Sequence, residues 1–457
     1  MLINPNIFRA YDIRGVVDHD LTEEAAQLIG QALAGQVLAA GLKQMAVGRD
    51  GRLSGPRLQR ALMDGFVAGG CDVVDVGQVP TPVLYFATHF LETGCGVVVT
   101  GSHNPPNYNG LKMVVNGTTL AESAIQQLRI DIENNRLPLG AGKVISKDVM
   151  PAYLRRITDD IAINRSLKVV VDCGNGVTGD VAPALLRELG CEVVELFTEV
   201  DGNFPNHHPD PSKPENLVDL IASVAEHQAD LGLAFDGDGD RVGVVTLTGD
   251  VIWPDRLMML FARDLLQRNP GATILYDVKC TRHLPRVIKA AGGQPVMCRT
   301  GHSLVKAEMK ARNAELAGEM SGHIFFGERW YGFDDGLYGA SRLLEIISKD
   351  PRPVQALFDE LPDAVNTPEL HIEMAEGEPH ALIPKLVEAA DFVDAEVSTL
   401  DGIRVEFADG FGLARASNTT PVMVLRFEGD DQAALDQIIS QFRALFQRVA
   451  PQVQFPL

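Results

Sequence analysis

The sequence predicts an α/β protein with three related α/β domains that have mixed sheets, followed by a smaller C-terminal α+β domain. Two observations lead to this prediction. The chain has 457 residues, which is too many for one hydrophobic core. Short apolar runs also alternate with stretches of helical periodicity, a pattern typical of α/β units with a parallel or mixed sheet.

A weak threefold repeat supports the division into domains. Each copy reads as a strand, a helix, a strand that begins after glycine, and a strand that leads into a special loop. The last strands of the three copies are the apolar runs at 96–99, 231–235 and 314–317. A shared order of elements in three segments favours three related domains. Equivalent strand ends would then bring three loops to one central cleft.

The pattern changes after about residue 362. Residues 402–407 and 421–427 read as two strands, residues 408–410 as a turn, and residues 415–420 as a loop between the strands. Asp430 or Asp431 can cap a final helix. The predicted domains therefore span residues 1–147, 148–250, 251–362 and 363–457, with hinge material near Pro368.

The composition excludes several classes of function. The chain is 46% hydrophobic and 22% charged, as in ordinary soluble proteins, and its net charge of −21 repels nucleic acid. No apolar run reaches membrane-spanning length and no leader features precede the first domain, so we expect a cytoplasmic protein without membrane contact. The six cysteines form no CxxC pair and read as reduced core residues.

Residues 100–106 (TGSHNPP) follow the buried run at 96–99. Small and turn-forming residues after such a strand present a hydroxyl at a strand end, where α/β proteins usually bind ligands. Ser102 is therefore the candidate for the chemistry, and the two prolines restrict the backbone after it. An ordinary strand-to-turn corner is the alternative for this loop alone. A serine-hydrolase elbow is disfavoured because Thr100 stands where the first glycine of GxSxG belongs.

Residues 236–240 (DGDGD) place three carboxylates at alternate positions, separated by glycines that let the backbone curl. Crowded carboxylates repel each other unless a cation lies between them, so a hard divalent metal ion is the natural occupant. An EF-hand is excluded because Arg241 stands at the glycine position and Leu247 at the glutamate position. Three carboxylates from one loop leave coordination positions for a phosphate oxygen. A solvated acidic turn is the alternative.

Three further stretches carry polar side chains. Residues 415–420 (RASNTT) combine a guanidinium, hydroxyls and an amide, which suits a phosphate group, although no P-loop motif occurs in the chain. Residues 318–323 (GEMSGH) offer the mixed donors and acceptors that sugar hydroxyls need. His302 ends a strand-like run and is a candidate proton shuttle, although a lone histidine is more often structural.

Together these loops resemble the α-D-phosphohexomutase superfamily, and most closely its bacterial phosphomannomutase/phosphoglucomutase members. The resemblance covers essentially the whole chain, from residues 8–15 (FRAYDIRG) through the four loops in the family order. The motifs TGSHNP and DGDGDR are highly specific, and EMSGH and RASNT refine the subgroup. Every motif position agrees with the family pattern.

The resemblance implies four domains around a central cleft and an enzyme that interconverts 1-phospho and 6-phospho hexoses, namely mannose and glucose phosphates. Ser102 would carry a phosphoryl group and pass it to the free hydroxyl of a hexose monophosphate. A hexose 1,6-bisphosphate would then turn over within the cleft and return its other phosphoryl group to Ser102. Mg²⁺ would be held by Asp236, Asp238, Asp240 and a phosphoserine oxygen.

The resemblance also implies roles for other residues around the cleft. Lys112, Arg14 and Arg241 are the expected cations near the transferring group, and His103 lies beside the serine. Lys112 or His302 would move the proton of the sugar hydroxyl. The expected contacts with the sugar and with the non-reacting phosphate come from Tyr11, Lys279, Glu319, Ser321, His323, Arg415, Ser417, Asn418 and Thr419.

Three alternatives stay open. A phosphoglucosamine mutase would use the same serine and metal with another sugar, and a Mg²⁺-dependent sugar phosphatase would let water intercept the phosphoenzyme. The third is a sugar-phosphate-binding protein without activity. We expect hexose phosphates as ligands, a monomer without an obligate protein partner, and a final domain that rotates near Pro368 when substrate binds.

Overall fold

The first domain is built on a seven-stranded sheet, seen in a computed structural model that describes residues 3–418 and 420–457. The sheet has the order β1-β5-β4-β2-β3-β7, with β6 paired to β5. Its elements are β1 (Ile13–Val16), α1 (Glu23–Ala39), β2 (Gln44–Arg49), α2 (Gly55–Ala68), β3 (Asp72–Gln78), α3 (Thr81–Phe90), β4 (Gly96–Val99), β5 (Tyr108–Val115), β6 (Thr118–Thr119), α4 (Ser123–Glu133) and β7 (Val144–Ser146).

The second and third domains carry smaller sheets of five and four strands. Their orders are β12-β11-β10-β8-β9 and β14-β13-β15-β16. The second domain contains α5 (Met150–Thr158), β8 (Lys168–Asp172), α6 (Ala182–Glu188), β9 (Glu192–Leu196), α7 (Val218–His227), β10 (Leu231–Phe235), β11 (Val242–Thr246) and β12 (Val251–Ile252). The third contains α8 (Pro254–Arg268), β13 (Thr273–Asp277), α9 (His283–Ala290), β14 (Gln294–Cys298), α10 (His302–Arg312), β15 (Leu316–Gly318), β16 (Ile324–Phe326), α11 (Gly336–Lys349) and α12 (Val354–Asp359).

The fourth domain has a six-stranded antiparallel sheet. Its order is β17-β22-β21-β20-β19, with β18 paired to β22. Its elements are β17 (Val365–Asn366), β18 (Leu370–Glu373), α13 (Glu378–Glu388), β19 (Glu396–Ser398), β20 (Ile403–Phe407), β21 (Gly410–Ala416), β22 (Val422–Gly429) and α14 (Gln432–Val449). Asp431 caps α14, because its side chain accepts a hydrogen bond from the N–H of Ala434.

The predicted threefold repeat is present in the sheets. In each of the first three domains, one strand (β2, β8 or β13) pairs in parallel with two neighbours. One of those neighbours (β4, β10 or β15) then pairs antiparallel with the next strand along the chain (β5, β11 or β16). The three special loops, at 100–107, 236–241 and 319–323, all join those last two strands and therefore occupy equivalent positions.

The cores explain why the loops meet. One continuous cluster of buried apolar side chains runs through the first three domains, with Tyr85, Tyr153 and Phe261 among its members. The fourth domain has its own core, which includes Phe427 and Phe442. Apolar burial therefore fixes the first three domains against each other, while the fourth domain packs as a separate unit.

One prediction about the fourth domain is wrong. Residues 415–420 were expected as a loop between two strands, but Arg415 and Ala416 end a third strand, β21, that begins at Gly410. The run from 410 to 416 contains two glycines, and glycine inside a run weakens the prediction of a strand. Every residue of β21 is buried between β20 and β22, so pairing on both edges outweighs the weak propensity.

The state of the cysteines agrees with the prediction from the sequence. All six cysteines are free and buried, as predicted. Among the helices of the described part of the chain, none combines the length and the hydropathy that a membrane span requires.

Candidate active site

Ser102 lies in the turn between β4 and β5, and its side chain is buried. Its φ is +50°, a left-handed conformation that serine seldom adopts. The hydroxyl oxygen Oγ lies 3.2 Å from Nδ1 of His103 and donates to Oδ2 of Asp236 at 3.1 Å. The serine loop of the first domain therefore lies directly against the acidic loop of the second.

A buried arginine holds the serine loop in place. The guanidinium of Arg52 donates to the main-chain carbonyls of residues 102, 104, 105 and 108 at distances from 2.5 to 2.9 Å. Asp50 lies beside it and accepts hydrogen bonds from the hydroxyl of Thr100 and the N–H of Gly101. Sequence analysis missed this pair, although residues 50–52 follow the first strand of the first repeat and therefore lie at a strand end.

The acidic loop joins β10 to β11, and Asp236, Asp238 and Asp240 are completely buried. Ligand oxygens from the three carboxylates lie within 4.8 Å of one another. Among the described residues, Oδ1 of Asp238 and Oδ1 of Asp240 have no hydrogen-bond partner. Lys112 on β5 faces the loop, and its Nζ donates to Oδ2 of Asp238 at 2.7 Å and to Oδ2 of Asp240.

These residues fit a hard divalent cation. Buried carboxylate oxygens without partners are costly, and oxygen atoms are the ligands that such cations prefer. One lysine leaves three carboxylates with an excess of negative charge. Asp240, His323 and Asp334 form a second group with ligand atoms equally close together. That group offers two carboxylates and an imidazole, whereas loop 236–240 offers three carboxylates, so the loop better matches the oxygen ligands of a hard cation.

The buried charges shift one another's pKa values. Burial raises the pKa of Asp236 well above its usual value, and Asp238 and Asp240 raise it further. Burial also acts to raise the pKa of Asp238, but the charge and hydrogen bond of Lys112 outweigh it and hold that pKa low. In the same way, the carboxylates outweigh burial and raise the pKa of Lys112. Lys112 is therefore charged at neutral pH.

The other predicted cations surround the serine. Burial and the positive charges of Arg241 and Arg14 hold the pKa of His103 well below its usual value, so this imidazole is neutral at neutral pH. Arg14 lies on β1 and donates to the Asn104 side chain within the serine loop. The charge around Ser102 is therefore carried by arginine and lysine rather than by histidine.

A chain of polar contacts links the acidic loop to the third domain. The Nε–H of Arg241 donates to Nε2 of His323 at 3.0 Å, so His323 carries its proton on Nδ1, which lies 3.2 Å from Oδ2 of Asp334. Asp334 accepts from Lys306, whose Nζ lies 3.3 Å from Nδ1 of His302. Burial and Lys306 hold the pKa of His302 well below its usual value. Sequence analysis missed Asp334 and Lys306, although Lys306 is one helical turn after His302.

A second group of predicted residues lies where the fourth domain meets the cleft. The side-chain amide of Asn418 donates to the hydroxyl of Tyr11, which joins the fourth domain to the first. Burial raises the pKa of Tyr11, and the nearby charge of Arg415 acts against it. Glu319 accepts a hydrogen bond from the N–H of Gly301 at 2.5 Å, and burial raises the pKa of this carboxyl.

Two cations of this second group have acidic partners that sequence analysis missed. Nε of Arg415 donates to Asp401 at 3.0 Å, and Nζ of Lys279 donates to Glu369 at 2.8 Å. Both cations are nearly buried, with side chains 5% and 8% exposed. Asp401 and Glu369 belong to no motif, so only the tertiary structure could identify them.

Two further predicted residues, Ser321 and Ser417, lie in loops. Ser321 is partly exposed in the loop between β15 and β16. Ser417 follows β21, and its hydroxyl accepts from the N–H of Thr420 at 3.3 Å. Thr419 lies outside the described residues. The fold therefore gathers the predicted residues into one group around Ser102 and another around Tyr11 and Arg415, while their catalytic and binding roles stay predictions.

The comparisons with known proteins agree with this architecture. Four family descriptions of phosphoglucomutase/phosphomannomutase match the chain in order: alpha/beta/alpha domain I at residues 5–138, domain II at 151–249, domain III at 253–365, and the C-terminal domain at 369–445. Fold, site and sequence thus define one class of protein. Its members have four domains, and a serine loop and an acidic loop lie in one cleft. The chain belongs to the phosphoglucomutase/phosphomannomutase family, as the motifs predicted.

Similar proteins cover the whole chain. The chain is 57% identical over 451 residues to a phosphomannomutase/phosphoglucomutase of Pseudomonas aeruginosa, covering 99% of this chain and 97% of that protein. It is 52% identical over 459 residues to a phosphoglucomutase of Neisseria gonorrhoeae, covering 100% and 99%. The crystal structure of a Burkholderia thailandensis family protein has a TM-score of 0.95 at 53% identity and full coverage of both chains. An N-acetylglucosamine-phosphate mutase at 13% identity, with a TM-score of 0.62 and coverage of 97% and 96%, shares the fold alone.

Proposed function

We propose that the chain interconverts 1-phospho and 6-phospho hexoses, with mannose and glucose phosphates as substrates. It is an isomerase that works by phosphoryl transfer through Ser102. The observation that supports this most directly is the 3.1 Å contact between the Ser102 hydroxyl and Asp236 of the acidic loop, next to the charged Lys112. Phosphoryl transfer depends mainly on positioning and on compensation of negative charge, and this arrangement offers both.

The proposed transfer starts from a phosphoryl group carried on Ser102. The hydroxyl oxygen of a hexose monophosphate forms a bond to phosphorus while the bond from phosphorus to Ser102 Oγ breaks, and the electron pair stays on Oγ. The product is a hexose 1,6-bisphosphate. Its other phosphoryl group then returns to Ser102 by the reverse exchange, so the net reaction moves the phosphoryl group between the two sugar positions.

Asp236, Asp238 and Asp240 would hold a Mg²⁺ ion together with an oxygen of the phosphorylated serine. When bound, this ion offsets negative charge on the transferring group. Arg14 and Arg241 lie close enough to His103 to lower its pKa, and this places their charge beside the serine. The cations of the chain itself therefore add to the charge compensation at the same position.

The proton of the attacking sugar hydroxyl needs an acceptor, and we favour His302 over Lys112. Lys112 is held in its charged form by two carboxylates, so it has no lone pair to accept a proton. His302 is neutral at neutral pH and can accept one. Lys112 then serves as a fixed cation.

The group around Tyr11 and Arg415 would bind the part of the substrate that does not react. Arg415 and Asn418 offer a guanidinium and an amide to the distal phosphate, and Ser417 offers a hydroxyl. Glu319 and Ser321 would bind ring hydroxyls, with His323 and Lys279 nearby. The bisphosphate must present either phosphate to Ser102, so this site accepts a phosphate with the sugar in both orientations.

The test is phosphorus NMR of the protein with glucose 1-phosphate, Mg²⁺ and a trace of glucose 1,6-bisphosphate. Replacement of the 1-phosphate signal by the 6-phosphate signal is the expected result. Growth of orthophosphate instead would support the sugar phosphatase. If only glucosamine 1-phosphate is converted when the sugars are exchanged, the enzyme is a phosphoglucosamine mutase. No conversion of any of these sugars would contradict the proposal.

The proposal also covers the location of the enzyme, its oligomeric state and its partners. We infer a cytoplasmic monomer that works on free hexose phosphates without a standing protein partner. The net charge of −21 disfavours binding to nucleic acid, and a phosphorylated substrate must therefore be met by Arg and Lys side chains placed locally in the site.

A further inference from the structure

A cavity lies between the first and third domains, outside the loops described above. Its volume is about 450 Å³, within the range of cavities that bind small molecules. The first domain contributes α3 and the β5–β6 hairpin, and the third domain contributes α10 and the segment at 327–333. Neither the serine loop nor the acidic loop lines this cavity, although its lining residue Lys306 also belongs to the chain of polar contacts described above.

Aromatic rings form much of the wall. The rings of His89, Tyr331 and Phe333 pack in a triangle, with the Tyr331 centroid 4.8 Å from His89 and 5.9 Å from Phe333 and the other two 6.1 Å apart. Trp330 and Tyr85 complete the aromatic lining. Tyr331 is 38% exposed although it is a large aromatic residue, so part of this wall stays open to a ligand. Rings of this kind favour a flat aromatic ligand.

The charge of the cavity is opposite to that of the molecule. The chain has 61 acidic residues, yet the lining includes no Asp or Glu among the described residues. Two lysines line it, Lys306 at a partly buried position and Lys310 at an exposed one. Lys306 is paired with Asp334, and its Nζ lies 4.1 Å from the centre of the Tyr85 ring. Among the described residues, Lys310 makes only two long contacts, at 3.5 and 3.4 Å, so its charge is available.

A polar group inside the wall also lacks a partner. The hydroxyl of Tyr85 is buried, and it has no hydrogen-bond partner among the described residues. Burial and the charges of nearby carboxylates raise the pKa of Tyr85, so its O–H remains a donor. A buried donor without an acceptor is costly, and an uncharged acceptor atom of a ligand would satisfy it.

We propose that this cavity binds a small planar aromatic anion. The exposed ring of Tyr331, with Trp330 and Phe333 packed beside it, contacts the flat body of the ligand, and Lys310 pairs with its negative group. This assignment rests on the shape, the aromatic lining and the charge of the cavity, and it does not depend on the proposed mutase activity.

The experiment titrates naphthalene-2-sulfonate into the protein and follows the indole N–H signals by NMR. The chain has two tryptophans: Trp330 lines the cavity and Trp253 does not, so Trp253 serves as the internal reference. The Trp253→Phe variant assigns the two signals. The Trp330 signal should shift and saturate while the Trp253 signal stays in place. Methanesulfonate and 2-naphthylmethylammonium, which lack the ring or the negative charge, should leave both signals unchanged.

Matched variants test the charged contact and the aromatic contact separately. Lys310→Glu should weaken binding of the probe by at least about tenfold, whereas Lys289→Glu, which makes the same charge change at an exposed position of α9, should leave it unchanged. Tyr331→Ala should weaken binding through loss of aromatic contact. An unmoved Trp330 signal, equal shifts with the ammonium probe, or unchanged affinity of Lys310→Glu would each overturn the proposal.

Discussion

At the scale of single residues, Ser102 combines a strained backbone with a reactive position. A side chain at φ of +50° costs about 1 kcal/mol relative to glycine, because Cβ approaches the following carbonyl. The strain is maintained by Arg52, which holds the carbonyls of Ser102 and of the residues after it, and by Asp50, which holds Thr100 and Gly101 before it. Phosphoryl transfer needs its reacting group in a fixed position, and the buried arginine holds the Ser102 loop in one.

This arrangement leads to a prediction for two substitutions of one residue. Ser102→Ala and Ser102→Gly should both fold and should both lose at least about three orders of magnitude in mutase activity, because each lacks the hydroxyl. The glycine variant should be the more stable by about 1 kcal/mol in urea unfolding, since it relieves the strain. Residual activity near the wild-type value would remove the covalent mechanism, and equal stability would remove the strain argument.

At the scale of elements, the contact between the serine loop and the acidic loop depends on a missing side chain. A Cβ on Gly237 would lie 2.5 Å from the carbonyl oxygen of Ser102, closer than such atoms can approach. The two loops can therefore touch only if residue 237 is glycine.

We predict that Gly237→Ala lowers kcat by about 10- to 100-fold, because the two loops must move apart while the rest of the fold remains. The matched control is Gly35→Ala in α1, where the added Cβ meets the Pro138 side chain at an ordinary 3.5 Å. That control should keep full activity and gain about 0.5–1 kcal/mol in stability. Equal kcat values for the two variants would contradict the argument.

A second element-scale feature is the contact between the end of β8 and the loop that follows β9. Nε2 of His207 lies 3.0 Å from Oδ2 of Asp172, and the Asp172 carboxylate is buried. Burial by itself lowers the pKa of His207, but the hydrogen bond and charge of Asp172 outweigh it, so this pKa lies above its usual value of 6.5.

A folded-state pKa above the unfolded value stabilises the fold below pH 6.5, and the contribution is lost as the pH rises through the folded-state value. We therefore expect the stability advantage of the wild type over Asp172→Asn to be largest in mild acid and to shrink towards alkaline pH. Chemical unfolding of both proteins between about pH 5.5 and 8.5 measures it. An advantage that is constant over this range would show that the contact is not charge-dependent.

At the scale of the whole molecule, the fourth domain is attached differently from the others. It contacts the third domain through a small apolar cluster of Val278, Phe411 and Leu413 and through buried arginines such as Arg404, which donates to the carbonyls of Val278 and Cys280. It also reaches the first domain through the hydrogen bond from Asn418 to Tyr11. Its core is separate from the cluster that unites the first three domains, so we expect it to be the unit that moves.

We expect the fourth domain to rotate about the segment near Pro368 when a bisphosphate binds. A closed cleft excludes water and limits hydrolysis of the phosphorylated serine. Small-angle scattering should show a smaller radius of gyration with glucose 1,6-bisphosphate than without it, and inorganic sulfate at equal ionic strength is the control. An unchanged radius with the bisphosphate would count against the motion.

Some properties of this protein follow from the sequence by itself. The three apolar runs that enter special loops, the alternating carboxylates at 236–240 and the serine turn at 100–106 predicted the fold class, the family and the two central loops. Such features are local, because a buried strand, a glycine-rich turn and a run of ligand atoms each depend on neighbours a few residues away.

Tertiary structure decided the rest, because its contacts join residues far apart in the chain. Ser102 meets Asp236 across 134 positions, and Lys112 meets Asp238 across 126. The role of Arg52 beneath the serine loop and the burial of β21 between two strands also depend on packing, which outweighs local propensity. Whether a carboxylate binds a metal ion or a lysine, and which histidine stays neutral, depends on the charges that packing brings near it.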